Sequence, residues 1–225
     1  KIVNGITPSD NTLILDIGSG TGHHVNQLTE KGFKAVGIDI SPDMVEHAKE
    51  LYPKNDYRVL DPLNTMNFTE NTFSIIMCIY FTLYYMEDKR TFFENCYKWL
   101  IPGGELAIHL VNKDLFDPVV TPSNPFNYIS PQKYTDKRIT NSSVKFKGFQ
   151  YKSDFDLDGD KGTFIETFKD DKTKNIRKHE HTFYMESQKN ILAIAKDTGF
   201  IMQAKYDMGE CGYDHQYLYI LKKPN

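Results

Sequence analysis

The sequence predicts a doubly wound α/β fold, in which helices cover both faces of a mainly parallel sheet. Apolar runs of strand length alternate with amphipathic stretches of helix length over the first half of the chain, which is the pattern of βαβ units. The run Leu13–Ile17 is apolar except for Asp16, as expected of a strand buried on both faces. A proline-rich stretch and alternating apolar segments interrupt this pattern after residue 113. We therefore expect an α/β core with an antiparallel insertion.

Each element of the first half has a local signal. Val25 and Leu28, three residues apart, indicate one apolar helical face. Ser41 and the proline after it supply an N-cap and a first-turn proline for the next helix. Pro102 and the two glycines after it end a third helix. The predicted strands are Leu13–Ile17, Phe33–Asp39, Tyr57–Leu60, Phe73–Tyr80 and Glu105–Val111. The predicted helices are His24–Lys31, Asp43–Leu51 and Lys89–Leu100.

The second half begins with a long irregular connection, marked by prolines, in which Ser130 and Pro131 could cap a short helix. Three alternating segments then predict an antiparallel meander, with turns at Asp158-Gly159 and near Asp170. The segments are Val144–Phe155, Thr163–Phe168 and Lys174–Tyr184, followed by a helix at Ser187–Thr198 and hairpin strands at Phe200–Asp207 and Gln216–Leu221. We expect a core over residues 1–112, an insertion over 113–185, and completion of the core by 186–225.

The composition disfavours several classes of protein. The chain has 225 residues, enough to bury a full core, and its apolar and charged fractions are those of a globular protein. Its formal net charge of −3 gives no overall attraction to nucleic acid or to an anionic membrane. No apolar run reaches the roughly 18 residues that span a bilayer, and no signal peptide is recognisable. The three widely spaced cysteines fit reduced thiols, so we expect a cytoplasmic protein.

A cluster of alternate glycines follows the first strand. Gly18, Gly20 and Gly22 allow tight turns and close approach of a ligand to the main chain. The second apolar run ends in Asp39, where a carboxylate would grip the ribose hydroxyls of a nucleotide-type ligand. The βαβ unit is therefore predicted to hold an adenosine-containing ligand. The spacing differs from G-x-G-x-x-G, and Asp16 would repel a pyrophosphate but could receive a cationic amino group, which disfavours a dinucleotide.

Glycines in G-x-G-x-G spacing, preceded by an acid, resemble the first motif of class I S-adenosylmethionine (SAM) methyltransferases. The order of elements is also similar to the Rossmann-like, seven-stranded sheet of that family, whose last strand is antiparallel. The resemblance covers Asn11 to about Asn112 and Ser187 to Lys223. The meander between them lies where small-molecule methyltransferases, including the antibiotic amino-sugar N-methyltransferases, carry a substrate lid. The resemblance implies a SAM-dependent methyltransferase with an antiparallel β-meander lid insertion.

This resemblance implies roles for residues at the carboxyl ends of the first two strands. Asp16 would face the amino group of SAM, and Asp39 would accept hydrogen bonds from both ribose hydroxyls. Ile40 and Met44 would pack on the adenine. The loop under the methionine portion of SAM would consist of Gly18, Ser19, Gly20 and Gly22.

The third strand leads to Asp61, which matches the family's acceptor for the adenine amino group. The family often adds a backbone N–H from the next residue, but here that residue is Pro62, which has none. Either Leu63 donates instead or this hydrogen bond is missing. The alternative role of Asp61 is to cap the Asp-Pro turn.

The fourth strand ends in Cys78, Ile79 and Tyr80, which the resemblance places beside the sulfonium of SAM. Cys78 lacks the preceding proline of cytosine-C5 methyltransferases, so we expect a buried thiol rather than a nucleophile. Tyr80 and Tyr84 are candidate substrate contacts, because open α/β sheets bind ligands at the carboxyl ends of central strands. The alternative is that these tyrosines belong to the core.

Polar residues of later strands are further candidates. Asn112, at the end of the fifth strand, could contact a substrate, whereas His109 is expected in the core. His179 and His181 share a face of a predicted strand, and His181 is a candidate substrate contact or general base. The alternative is a solvated strand face. We expect no metal there, because no third ligand lies at close spacing, although His215 could approach.

The acids at positions 154, 156 and 158 imitate the start of a calcium-binding EF-hand loop. The twelfth position of such a loop would be Ile165 instead of glutamate, so an acidic hairpin turn is expected. The segment Lys133–Lys152 holds six basic residues and one acid. It would suit an anionic small substrate or an RNA backbone, and the alternative is a solvated strand face.

We predict an enzyme that transfers a methyl group from SAM to nitrogen or oxygen of a small-molecule acceptor, leaving S-adenosylhomocysteine (SAH). Alignment of donor and acceptor would lower the activation free energy by up to roughly 7–11 kcal/mol. Tyr84 and His181 are the candidates for deprotonating the acceptor. The alternatives are an RNA or protein methyltransferase and a catalytically silent SAM-binding partner subunit.

Overall fold

The computed structural model describes residue 8 and residues 12–119 and 135–225. It divides into two compact units. The first comprises Lys1–Leu110, Lys189–Tyr206 and Leu218–Asn225, and the second comprises Val111–Gln188 and Asp207–Tyr217. Residues 207–217, assigned above to the core, thus belong to the second unit. The short helix predicted at Ser130 lies outside the described residues.

The elements follow the predicted alternation. The strands are β1 (Leu13–Ile17), β2 (Lys34–Asp39), β3 (Asp56–Val59), β4 (Phe73–Cys78), β5 (Leu100–Val111), β6 (Asn141–Phe146), β7 (Phe149–Asp158), β8 (Lys161–Asp170), β9 (Ile176–Tyr184), β10 (Ile201–Asp207) and β11 (Gln216–Lys222). The helices are α1 (His23–Glu30), α2 (Pro42–Leu51), α3 (Thr82–Tyr85), α4 (Lys89–Trp99) and α5 (Gln188–Thr198). No helix of the described segments is long and apolar enough to cross a membrane.

A seven-stranded sheet forms the centre of the first unit, in the order β10-β11-β5-β4-β1-β2-β3. The pairs β1–β2, β2–β3, β1–β4 and β4–β5 are parallel. The strand order reverses direction at β1, because β2 and β3 lie on one side of it and β4 and β5 on the other. The predicted seven-stranded α/β fold is confirmed. Open sheets of this kind bind ligands at the carboxyl edge of such a switch point.

The core and the helix starts follow from the local signals. Ile14, Leu15 and Ile76 on the central strands are fully buried. The hydroxyl of Ser41 accepts a hydrogen bond from the amide of Met44 at 3.4 Å, as an N-cap does. At the start of α4, the Asp88 side chain accepts from the amide of Thr91 at 3.0 Å, and this bond lowers the pKa of Asp88.

The structure differs from the prediction where β4 ends. The predicted strand Phe73–Tyr80 stops at Cys78, and the chain then enters the short helix α3, which the sequence pattern did not indicate. Tyr80 has a φ of 55°, a left-handed conformation that a bulky residue rarely adopts. A strand cannot continue through that conformation, so the tyrosine ends it.

The second unit contains a four-stranded antiparallel sheet in the order β6-β7-β8-β9. The predicted segment Val144–Phe155 is two strands, joined by a turn at Gly148, whose φ is 96°. Along β7, Tyr151 and Phe155 are buried, while the intervening Lys152 and Asp154 are exposed. The two faces of this strand therefore differ in exposure, and its aromatic residues lie on the buried face.

Candidate functional site

The glycine loop after β1 is fixed to the end of β2. The amides of Gly18 and Ser19 donate to the carbonyl oxygen of Ile38 at 2.8 and 3.0 Å. The carbonyl oxygen of Gly22 accepts a hydrogen bond from the hydroxyl of Tyr57 at 2.8 Å. The loop is therefore held at both of its ends by residues of neighbouring strands.

The three glycines have different reasons for lacking a side chain. All have positive φ, at 73°, 52° and 81°. A Cβ on Gly18 would lie 2.4 Å from the side chain of Thr82, and one on Gly22 would lie 2.5 Å from the Tyr57 ring. A Cβ on Gly20 would meet no atom within 4 Å. Gly18 and Gly22 thus serve close packing, while Gly20 exposes main chain to space that a ligand could fill.

The carboxylate of Asp39 joins this loop to the start of α2. Its Oδ2 accepts from the amide of Gly20 at 2.9 Å, and its Oδ1 accepts from the amide of Ser41 at 2.9 Å. Each carboxylate oxygen can accept a second hydrogen bond. Asp39 is therefore oriented by the backbone and retains capacity to bind two adjacent hydroxyl groups.

Asp16 is a buried acid without a hydrogen-bond donor. Its residue is 1% exposed, and neither carboxylate oxygen accepts a hydrogen bond within the described part of the chain. Nδ1 of the His24 imidazole lies 3.9 Å from Oδ2. Burial, together with the charge of Asp39, raises the pKa of Asp16 to about 7. An arriving ammonium group would supply the missing donors and favour the ionised carboxylate.

His24 and Tyr80 form a stacked pair beside Asp16. Their ring centroids are 5.8 Å apart with the planes inclined by 24°. Burial, and then the charge of His23, lower the pKa of His24, so its imidazole is neutral at physiological pH. Tyr80 is about half exposed and also contacts the buried ring of His109 edge to face. Sequence reasoning missed His24, because its contact with Tyr80 is made only in the folded chain.

Two exposed apolar side chains flank the end of β2. Ile40 is 67% exposed and Met44 is 46% exposed. Exposed apolar residues beside a polar loop are suited to contact a flat apolar ring. The predicted packing of these two residues on adenine stays a prediction.

The amide of Leu63, one of the two predicted possibilities for the hydrogen bond to adenine, already has an acceptor. Oδ1 of Asp61 accepts from the amide of Leu63 at 2.9 Å, closing a turn around Pro62. That N–H is therefore engaged, which favours the second of the two predicted possibilities, a missing hydrogen bond to adenine. Asp61 itself is exposed and caps its own turn, which was the alternative role.

Two candidates at the sheet edge are buried. Tyr84 is fully buried, which does not fit the predicted contact with a substrate or role as a base. Cys78 is fully buried, and burial followed by the charge of Asp16 raises the pKa of its thiol, so the thiol is protonated at neutral pH. Ile79 beside it is partly buried and packs against the apolar core.

Asn112 and His181 belong to the second unit. Oδ1 of Asn112 accepts from the amide of Asp114 at 3.1 Å and caps the turn after β5. The imidazole Nε2 of His181 lies 3.3 Å from Oε2 of Glu166, whose Oε1 accepts from the Tyr151 hydroxyl at 2.7 Å. Sequence reasoning missed Glu166 and Tyr151, because only the strand register brings them together. The described residues contain no group of three that could hold a metal ion.

The cluster in the first unit fits the cofactor that the sequence predicts. Asp16 offers an unsatisfied buried carboxylate, Gly20 leaves space against the main chain, and Asp39 presents an oriented carboxylate. These groups complement an ammonium, an extended backbone-like chain and a vicinal diol, which SAM combines in one molecule. Parallel pairing brings the carboxyl ends of β1 and β2 to the same edge of the sheet.

Comparisons with known proteins find methyltransferases that are similar to this chain. A family model described as a methyltransferase domain matches residues 15–108. The phosphoethanolamine N-methyltransferase of Plasmodium falciparum is 37% identical over 112 residues, which are 48% of this chain and 42% of that protein. The chain thus spans less than half of this relative.

Solved structures show the same fold. A SAM-dependent methyltransferase from Clostridium acetobutylicum aligns with a TM-score of 0.73 and 17% identity, over 95% of this chain and 85% of that one. The SAM-bound amino pentose methyltransferase from Micromonospora echinaspora aligns with a TM-score of 0.68 and 18% identity, over 95% and 84%. Residues 15–108 match a methyltransferase domain, and the chain shares its fold with solved SAM-dependent methyltransferases.

Proposed function

We propose that this chain binds SAM at the carboxyl edge of its seven-stranded sheet and transfers the methyl group to a nitrogen atom of a small molecule. The observation that carries the proposal is Asp16, a buried carboxylate without a donor, beside the space over Gly20. A protein that left this acid permanently unpaired would be destabilised for no structural gain. A cationic ligand would explain both the unpaired carboxylate of Asp16 and the open space over Gly20.

Each residue of the cluster would have a distinct role. Asp16 would bind the ammonium of the methionine portion, the loop Gly18–Gly22 would lie under that portion, and Asp39 would bind the ribose hydroxyls. Tyr80 would form the wall beside the reacting atoms, where its strained backbone holds the ring in a fixed direction. When bound, SAM supplies an activated methyl group on its sulfonium. The protein's task is then mainly alignment and exclusion of water.

Nitrogen is favoured over oxygen by the names of the relatives. The Plasmodium relative is named for N-methylation of phosphoethanolamine, and the Micromonospora structure is named for an amino pentose. An amine acceptor must lose one proton to expose its lone pair, whereas a hydroxyl needs a stronger base. The neutral imidazole of His24, at the same edge of the sheet, could accept a proton from an amine.

A methylation assay tests the proposal directly. The chain would be incubated with SAM and pools of small amines, carboxylic acids and alcohols, and products would be detected by mass spectrometry. We expect SAH and an N-methylated product from the amine pool. Binding of SAH without turnover of any pool would instead indicate a SAM-binding subunit without activity, and methylation of alcohols alone would overturn the assignment to nitrogen.

A further inference from the structure

One face of the four-stranded sheet in the second unit collects aromatic rings around a few polar groups. Residues opposite one another in the antiparallel register share a face of the sheet. Two neighbouring rows cross β7, β8 and β9 on this face, and they consist of Ser153, Glu166 and His179, and of Tyr151, Phe168 and Arg177.

Glu166 is the anionic centre of this face. Its side chain is only 25% exposed, and it alternates along β8 with Phe164 and Phe168. The Tyr151 hydroxyl holds one carboxylate oxygen at 2.7 Å, and His181 lies 3.3 Å from the other. Burial, and then the bond to Glu166, raise the pKa of Tyr151, so this hydroxyl remains a donor at neutral pH. The carboxylate is therefore fixed in position among aromatic rings.

Arg177 is a cation at the end of the same face. Its guanidinium lies over the ring of Phe168, with Cζ 4.9 Å from the ring centroid, and it forms no ion pair with any residue that the structure describes. A cavity of about 440 Å³ adjoins it, lined by Phe149, Phe168, Asp170, Asn175, Ile176 and Arg177. The acid of this lining, Asp170, accepts through Oδ1 from the amides of the turn that follows it. Arg177 is thus the cation of this lining, and the turn after Asp170 engages one carboxylate oxygen of that acid.

The relative position of the two charged residues favours one class of ligand. Glu166 on β8 and Arg177 on β9 are diagonal neighbours in the register, and such residues lie about 7–8 Å apart. Aromatic rings beside an acid stabilise an ammonium group. A planar guanidinium binds phosphate or carboxylate through paired hydrogen bonds. A small molecule that carries an amine two or three atoms from an anionic group can engage both, with its alkyl part on Phe168.

We propose that this face binds such a zwitterion, with Glu166 as the partner of its ammonium and Arg177 as the partner of its phosphate or carboxylate. The inference rests on the proposed function in one respect, because the ligand class is that of the proposed methyl acceptor. The Tyr151 hydroxyl and His181 hold the carboxylate of Glu166 in place, and Arg177 forms no ion pair with any residue that the structure describes.

Calorimetry with matched ligands tests the pairing of charges. O-phosphoethanolamine and β-alanine carry both groups, with phosphate and carboxylate respectively, whereas ethanolamine lacks the anion and ethyl phosphate lacks the amine. We expect at least one zwitterion to bind the whole chain about tenfold or more tightly than either single-charge ligand, since each single-charge ligand lacks one of the two charged contacts. The tighter zwitterion identifies the anionic group. Equal affinities for all four ligands would overturn the inference.

Variants with controls on the opposite face test the residues. Glu166→Gln and Arg177→Gln should each weaken binding of the preferred zwitterion by about tenfold or more. Glu180→Gln and Lys178→Gln make the same changes of charge on the other face of β9, where these two residues pair at 3.3 Å, and should leave affinity within about twofold. Tyr151→Phe, which keeps the Glu166 charge, should give an intermediate loss. Losses as large in the controls would contradict the proposal.

Titration with SAH separates this inference from the proposed function. The Glu166→Gln variant should bind SAH as the unmodified chain does, because the proposed cofactor residues all belong to the first unit. If SAH binds and no zwitterion does, the inference is wrong and the proposed function stands. If SAH fails to bind the unmodified chain, the proposed function is wrong, and zwitterion binding that still depends on Glu166 would uphold the site.

Discussion

Asp16 combines nearly complete burial with the absence of a hydrogen-bond donor from the described residues. Its pKa rises from 3.8 to about 7, mainly through burial. The folded chain therefore binds more protons at this residue than the unfolded chain between about pH 4 and about pH 7, and stability falls as the pH rises through that window. The full effect is on the order of 4 kcal/mol. Such a cost is typical of a residue kept for binding rather than for stability.

Replacing Asp16 by Asn should therefore stabilise the ligand-free chain at pH values above about 7, by up to a few kcal/mol. The variant should lose most of the decline in stability between pH 5 and pH 8, measured by urea unfolding. It should also bind SAH more weakly, because the ammonium loses its ionic partner. Asp43→Asn, an exposed acid in the first turn of α2, is the control and should change stability little. Equal or lower stability of Asp16→Asn at pH 8 would contradict the assigned burial cost.

At the scale of elements, substitutions in the glycine loop distinguish a glycine needed for packing from one that leaves space for a ligand. Gly22→Ala would place a methyl group 2.5 Å from the Tyr57 ring in a left-handed conformation, whereas Gly20→Ala meets only the conformational cost of roughly 1–2 kcal/mol. We expect Gly22→Ala to destabilise the chain considerably more than Gly20→Ala in thermal unfolding. Gly20→Ala should nonetheless weaken SAH binding, since its methyl group fills the space over the loop.

Two results would contradict this interpretation of Gly20. If Gly20→Ala unfolds as easily as Gly22→Ala, the space over Gly20 is not free in the folded chain. If Gly20→Ala binds SAH with unchanged affinity, the ligand does not approach that part of the main chain.

Sequence patterns predicted the elements that local signals determine. The run at β1, the cap at Ser41 and the glycines are properties of adjacent residues, so β1, α2 and the loop could be placed from sequence. The left-handed Tyr80 and the helix α3 depend on packing with distant residues such as His24. They could not be derived from the apolar run that precedes them.

The candidate site also contains residues that local sequence predicts and residues that only tertiary packing brings together. The binding roles of Asp16 and Asp39 could be predicted because both residues lie at the ends of strands that the sequence indicates. The pairing of Tyr151 with Glu166, fifteen residues later, depends on the register of β7 against β8, and register is set by tertiary packing. The engagement of the Leu63 amide by the Asp61 carboxylate, two residues away, is a local turn contact that favours the second predicted possibility, a missing adenine hydrogen bond.

At the scale of the whole molecule, charge distinguishes a small-molecule enzyme from one that acts on RNA. A net charge of −3 gives no general attraction to a polyanion. We expect binding to generic RNA at physiological salt to be weaker than the roughly 10⁻⁶–10⁻⁴ M typical of nonspecific binders, as measured by filter binding. Tight binding that declines steeply with added salt would favour the RNA methyltransferase alternative.

The central claim is that the turn after β1, together with Asp39, holds SAM. Calorimetric titration of SAH into the unmodified chain, Asp39→Ala and the control Asp56→Ala tests this claim most directly. Asp56 is an exposed acid on β3 that pairs with Arg58, so its loss should leave affinity unchanged. Asp39→Ala should weaken binding by about 100-fold, because two charge-assisted hydrogen bonds to the ribose would be lost. SAH binding of equal strength to all three proteins would contradict the claim.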